Sequence, residues 1–192
     1  KSYPGLILKI SNLLYDHYKN TDQLSKRLLE DRLSIKNEFN VNINEIESLD
    51  FHAGDNHYGV STTIINFTDN RSIIYKPRSL TIDIKFQNLI DSVCPLFNIE
   101  KFQFIPNILD KCDWGYQLYV KKETPIEPKL MLASQIALIV VLLDLCGIND
   151  CHSDNLYFTS KSLCLVDCET LFHGIHTNKG SKSLFDSLIG IG

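Results

Sequence analysis

A chain of 192 residues with 44% hydrophobic and 22% charged residues has the composition of a folded protein of about one to one and a half domains, not of a disordered segment. Its 19 Lys and Arg against 23 Asp and Glu give a formal charge of −4, which excludes a nucleic-acid binder held by a broad cationic surface. The chain opens on Lys1 rather than Met, carries no basic, apolar leader and ends at Gly192, so it is expected to be a piece of a longer, cytoplasmic protein. The six cysteines include no Cys-x-x-Cys pair and are expected as reduced, mostly buried thiols.

From Tyr3 to Val41 the apolar residues recur at helical spacing. Leu6, Leu8, Ile10, Leu13 and Leu14 predict one amphipathic helix, and Leu24, Leu28, Leu29, Leu33 and Ile35 a second, with Thr21 and Asp22 as cap residues between them. Beyond Val41 the texture changes. Val60 to Phe67 and Ser72 to Lys76, rich in β-branched residues, flank Thr68-Asp69-Asn70-Arg71 and predict a β-hairpin. Leu80 to Val93 predicts a helix, and Phe102 to Leu109 with Tyr116 to Val120 a second strand pair around Asp113-Trp114-Gly115. The apolar helix from Pro128 to Cys146 has an unbroken core, Ile136 to Leu143, far short of the roughly 20 residues of a membrane span. A buried central helix is expected, ended by Gly147. A polar loop follows at Asn149 to Asn155, then short strands at Leu156 to Phe158 and Leu163 to Val166, and a loop-like tail from His173.

Hairpin ending in Lys, helix, strand pair, apolar helix, polar loop, short hairpin and acidic pair is the order of parts in a protein or lipid kinase. Phosphoryl transfer needs a cation on the nucleotide phosphates, oxygen ligands for Mg²⁺ and a group that orients or deprotonates the acceptor hydroxyl. Lys76, at the end of Ile73-Ile74-Tyr75-Lys76 and followed by Pro77-Arg78, is the candidate cation; the alternative is a surface lysine at a strand end. Asp150-Cys151-His152-Ser153-Asp154-Asn155 offers hard oxygen ligands and a histidine for proton or phosphate contact; the alternative is a self-capping polar turn. Asp167-Cys168-Glu169 follows Asn155 by 12 residues, enough for a short hairpin to return a carboxylate beside the first loop. Gly54-Asp55-Asn56-His57-Tyr58-Gly59 stands where kinases carry a glycine-containing loop over the phosphates, although it matches neither common glycine-rich pattern. Trp114 and Tyr116 stand where a kinase hinge lines the adenine, with core packing as the alternative reading.

Together GDNHYG, YKPRSL, WGYQLYV, NDCHSDNL and VDCETLF resemble the dehydratase domain of class II lanthipeptide synthetases, the LanM family. The resemblance covers nearly the whole chain. It implies an α+β, lipid-kinase-like, two-lobed core at residues 42–192, incomplete in its C-terminal lobe and preceded by a helical segment at 1–41. It implies ATP and Mg²⁺ as cofactors, and phosphorylation of Ser and Thr in a ribosomal precursor peptide, leader plus core. Phosphate is then eliminated to leave dehydroalanine or dehydrobutyrine.

On this chain the resemblance assigns nucleotide phosphate binding to Lys76, Asp55, His57 and Arg78. Asp150 would orient or deprotonate the substrate hydroxyl with help from His152. Asn155 and Asp167 would bind Mg²⁺, and Glu169 would support the site or the elimination. The family's elimination residues and its zinc-binding cyclase, as well as any association of the full-length protein with an exporter, lie beyond this sequence. No Glu stands between Lys76 and Glu100 to complete the usual kinase Lys–Glu pair, leaving Asp83 or Asp91 as substitutes. Competing readings are a kinase without elimination, a non-catalytic peptide-binding remnant, and a metal hydrolase using Asp55, His57, His152 and Asp167.

Overall fold

The computed structural model describes residues 3–51, 61–121, 130–147, 155–159, 163–168 and 170–171. It is a mixed α+β chain that divides into two compact units, Lys1–Leu80 with Asn107–Tyr119, and Thr81–Pro106 with Val120–Gly192.

In the first unit, one helix α1 (Pro4–Phe39) replaces the two expected from the sequence. Thr21 and Asp22 do not cap a break. The Thr21 hydroxyl donates to the His17 carbonyl at 2.8 Å, the Ser25 hydroxyl to the Thr21 carbonyl at 2.8 Å, and Lys26 pairs with Asp22 one turn back at 2.7 Å. With no Pro or Gly between residues 6 and 39, nothing forbids the helical ladder from running through. The helix stops where Asn40 takes a left-handed conformation (φ 55°) and its N–H returns to the Lys36 carbonyl. Burial starts late. Leu24, Leu28, Ile35 and Phe39 form one buried stripe, whereas Leu6, Leu13 and Leu14 remain more than half exposed.

That stripe packs on a five-stranded antiparallel sheet of order β1-β2-β3-β5-β4, with β1 (Ile46–Phe51), β2 (Thr63–Phe67), β3 (Ser72–Lys76), β4 (Ile108–Asp110) and β5 (Gly115–Leu118). The expected hairpins are present with shorter strands, and β1 adds an edge strand whose alternation slips between Ile46 and Ser48. In the β2–β3 turn, Asn70 has φ 64° and Asp69 accepts from the Arg71 N–H and guanidinium. The Arg71 guanidinium also donates to the Phe39 carbonyl at 3.2 Å, placing a cation at the C-terminus of α1. Because strand side chains alternate, Ile65, Phe67, Ile73, Tyr75 and Tyr116 join the α1 stripe in one core, and Lys76 and Gln117 belong to the opposite face.

The clamp between helix and sheet is polar. Asp31, 5% exposed, accepts from Trp114 Nε1 at 2.9 Å and the Tyr116 hydroxyl at 3.2 Å, and pairs with Lys111 at 2.9 Å. The Arg27 guanidinium lies 4.1 Å from the Trp114 ring centre and donates to the Tyr75 hydroxyl.

The second unit holds α2 (Thr81–Val93), α3 (Leu130–Leu145) and a hairpin of β6 (Leu156–Phe158) and β7 (Leu163–Leu165). Phe86 and Ile90 of α2 are buried, Phe86 edge-on to Phe104. Gln87 ties the 102–105 segment to α2. Its Oε1 accepts from the N–H groups of Phe104 and Ile105, and its Nε2 donates to the Phe102 carbonyl and to Asp91, all at 2.9 Å. Phe104 in turn accepts from Leu165 N–H. Of the two substitutes for a kinase glutamate, Asp91 thus serves Gln87, while Asp83 is fully buried in the first turn of α2. The apolar helix α3 buries Leu138, Ile139, Leu142 and Leu143, but Val141 and Leu145 are 54% and 70% exposed, so it is one-sided rather than buried all round. Gly147 follows it at φ 67°, a conformation glycine adopts without steric cost. Among the described residues no helix is long and apolar enough to cross a membrane.

Cys94, Cys112, Cys146, Cys164 and Cys168 are free thiols, all buried except Cys112; Cys151 lies outside the described residues. Burial pushes the Cys94 and Cys146 thiols up, and Cys164 up to about 12. It also raises the Tyr75 and Tyr116 phenols. Each group then holds its proton more tightly folded than unfolded, so its stabilisation is complete below the unfolded value and lost as pH climbs through the folded one. Urea midpoints should therefore fall from about pH 9 upward, and less steeply in Cys164→Ala. An unchanged slope in that variant would show that Cys164 does not carry the effect.

Candidate functional site

Lys76 ends the central strand of the sheet and is 4% exposed. Its backbone pairs with Gly115 of β5, and Ile74, two residues earlier on the same face, pairs with Gln117. Pro77 then ends the ladder, having no N–H to extend it. The chain after it is pinned rather than free. The Leu80 N–H donates to Asp110 Oδ1 at 2.9 Å, and the Leu80 side chain, fully buried, lies over Gly115. A Cβ at position 115 would stand 2.5 Å from Leu80 Cδ1 and 3.0 Å from the Leu109 carbonyl oxygen. Absence of a side chain at 115 is thus what lets the turn after Lys76 close. Within that turn the Arg78 guanidinium donates to the neighbouring Ser79 carbonyl at 2.9 Å.

Asn155 and Asp167 flank the β6–β7 hairpin of the second unit. Leu156 pairs with Leu165, and one step further out the Val166 N–H donates to the Asn155 carbonyl at 2.9 Å. Asn155 therefore enters the hairpin and Asp167 leaves it at the same open end, both half-buried. A carboxylate and an amide are hard oxygen donors of the kind Mg²⁺ takes. Asp55, His57, Asp150, His152 and Glu169 lie outside the described residues. Among the described residues, no group of three or more His, Cys, Asp or Glu stands at metal-binding distance.

Trp114 and Tyr116 resolve toward packing: both hydrogen-bond Asp31 of α1, on the face away from Lys76. The residue that shares the Lys76 face is Gln117, which the aromatic pattern of WGYQLYV hides. Strict alternation from Tyr116 is the sequence signal that would have found it. Gln117 has no exposed surface.

Comparison with known proteins adds two findings. The family described as a domain of unknown function (DUF4135) matches residues 3–192. The lacticin 481/lactococcin biosynthesis protein LcnDR2 of Lactococcus lactis subsp. lactis is 27% identical over 188 residues, covering 89% of this chain and 19% of its own length. The chain thus spans about a fifth of that relative.

Proposed function

This chain belongs to the DUF4135 family and is related to the lanthipeptide synthetases, and from that premise we propose that it is the kinase-like part of a dehydratase acting on Ser and Thr of a ribosomal precursor peptide. In the first step the substrate hydroxyl oxygen attacks the γ-phosphorus of ATP, the bond to the β-phosphate oxygen breaks and ADP leaves. Asp150, assisted by His152, accepts the hydroxyl proton. Lys76 balances phosphate charge from the end of β3, with Asp55, His57 and Arg78 as further phosphate contacts. Asn155 and Asp167 would hold Mg²⁺, which supplies charge neutralisation on the phosphates. In the second step a base removes the Cα proton of the phosphorylated residue, the Cβ–O bond breaks, and inorganic phosphate leaves behind the alkene. Glu169 is the candidate on this chain to support that step.

The observation that carries the reading is the β6–β7 hairpin, which brings Asn155 and Asp167 to one end. In isolation, Asn155 and Asp167 would be two polar residues 12 positions apart. Lys76 adds support, because the end of the central strand holds its side chain, 4% exposed, in a fixed place. The test is mass spectrometry of the precursor peptide after incubation with the full-length enzyme, ATP and Mg²⁺. The expected product has lost water at Ser or Thr, and chelation of the metal prevents the change. A peptide that only gains phosphate would favour a kinase without elimination. An unmodified peptide with intact enzyme would reject the proposal.

A further inference from the structure

Half-buried Gln87 and fully buried Gln117 are treated in opposite ways. Gln87 uses its whole carboxamide, accepting twice and donating twice. Gln117, with no exposed surface, has no hydrogen-bond partner at either Oε1 or Nε2 among the described residues. A carboxamide offers two N–H donors and an oxygen with two lone pairs, and burying such a group without partners costs about 1–3 kcal/mol by mutational measure. A leucine of similar size would pack there without that cost. A side chain kept at a stability cost is most simply explained by a ligand that satisfies it.

Its position narrows the ligand. Gln117 sits between Ile74 of β3 and Ile108 of β4, two residues along the ladder from the Lys76–Gly115 pair and on the Lys76 face. Diagonal neighbours on a sheet face are about 7–8 Å apart, so the amine and the amide can serve separate parts of one molecule. Phosphate oxygens only accept, and would leave the Gln117 oxygen unanswered. The carboxamide is fully used by an edge that presents a donor beside an acceptor, which is how glutamine reads the N6 amino group and N7 of adenine. Guanine presents two acceptors on the same edge.

We propose that Gln117 reads the base of a bound adenine nucleotide and sets preference for ATP over GTP; this rests on the nucleotide-binding reading of Lys76. The experiment is titration of the full-length enzyme and its Gln117→Leu and Gln117→Glu variants with ATP and with GTP, alongside thermal unfolding without nucleotide. Gln117→Leu should bind ATP about 10- to 100-fold more weakly, with GTP affected less, and should unfold at or above the wild-type temperature. Gln117→Glu, which keeps acceptors for the adenine N6 amino group but has lost both donors, should weaken ATP binding and, since both guanine edge atoms are acceptors, weaken GTP binding at least as much. If the wild-type enzyme binds neither nucleotide, the reading of Lys76 fails and this inference goes with it. If the wild type binds ATP and both variants keep its affinity and preference, only the inference about Gln117 is overturned. A Gln117→Leu protein that unfolds below the wild-type temperature would also overturn it, since the carboxamide would then have partners that hold the sheet.

Discussion

Lys76→Met is expected to lower phosphorylation of the precursor peptide by at least about a hundredfold, the loss typical when a preorganised charge facing a developing anion is removed. The argument begins with the strand. Lys76 is the last residue of β3, paired to Gly115 and 4% exposed, so its ammonium starts from a fixed backbone rather than from a mobile loop. Methionine keeps most of the unbranched apolar stem and deletes the charge, so circular dichroism should remain that of a folded protein. Lys76→Arg retains the charge on a wider, planar group and should recover only part of the rate. Initial rates of phosphate incorporation at saturating peptide are the measurement. Near-normal turnover by the methionine variant would remove Lys76 from the site.

Loss of the Asp31 carboxylate should have the largest effect on stability. Asp31→Leu leaves three donors without their acceptor: the Trp114 indole N–H, the Tyr116 hydroxyl and the Lys111 ammonium. Breaking a buried ionic cluster from one side costs about 3–5 kcal/mol, a large share of the roughly 5–15 kcal/mol that holds a domain together. Asp31→Asn keeps an acceptor oxygen and should cost markedly less. Trp114 is the single tryptophan of the chain and belongs to the cluster, so urea unfolding followed by its fluorescence reports both the loss of stability and the change of environment. Equal midpoints for Asp31→Leu and the wild type would mean that the cluster contributes nothing net.

Much of this architecture was legible where local chemistry and tertiary packing agree. The β2–β3 hairpin is written in β-branched runs around Asp69-Asn70, and Asn70 takes the left-handed turn conformation that such a residue tolerates. The β6–β7 hairpin was visible as two short apolar runs at the right interval. Polar residues misled the reading at Thr21 and Asp22, because a hydroxyl that caps a helix start can equally bond back to the carbonyl one turn earlier, as Thr21 does. The all-round apolar character of α3 overstated its burial, since Val141 and Leu145 face outward. Among the candidate residues, Lys76, Asn155 and Asp167 stand out in the sequence by strand ends and spacing. Gln117 does not, because glutamine carries no motif and its meaning depends on which strands flank it and on the lack of hydrogen-bond partners at its amide among the described residues.

The contact between Leu80 and Gly115 binds two distant stretches of sequence to a shared history. A larger residue at 115 has nowhere to go unless position 80 shrinks, and a smaller residue at 80 opens a void beside the base of the Lys76 strand. Either change alone damages packing, whereas both together can restore volume, so drift at these sites must proceed in matched steps. Retuning the Lys76 end of the sheet by directed evolution would best begin with libraries that vary the two positions jointly.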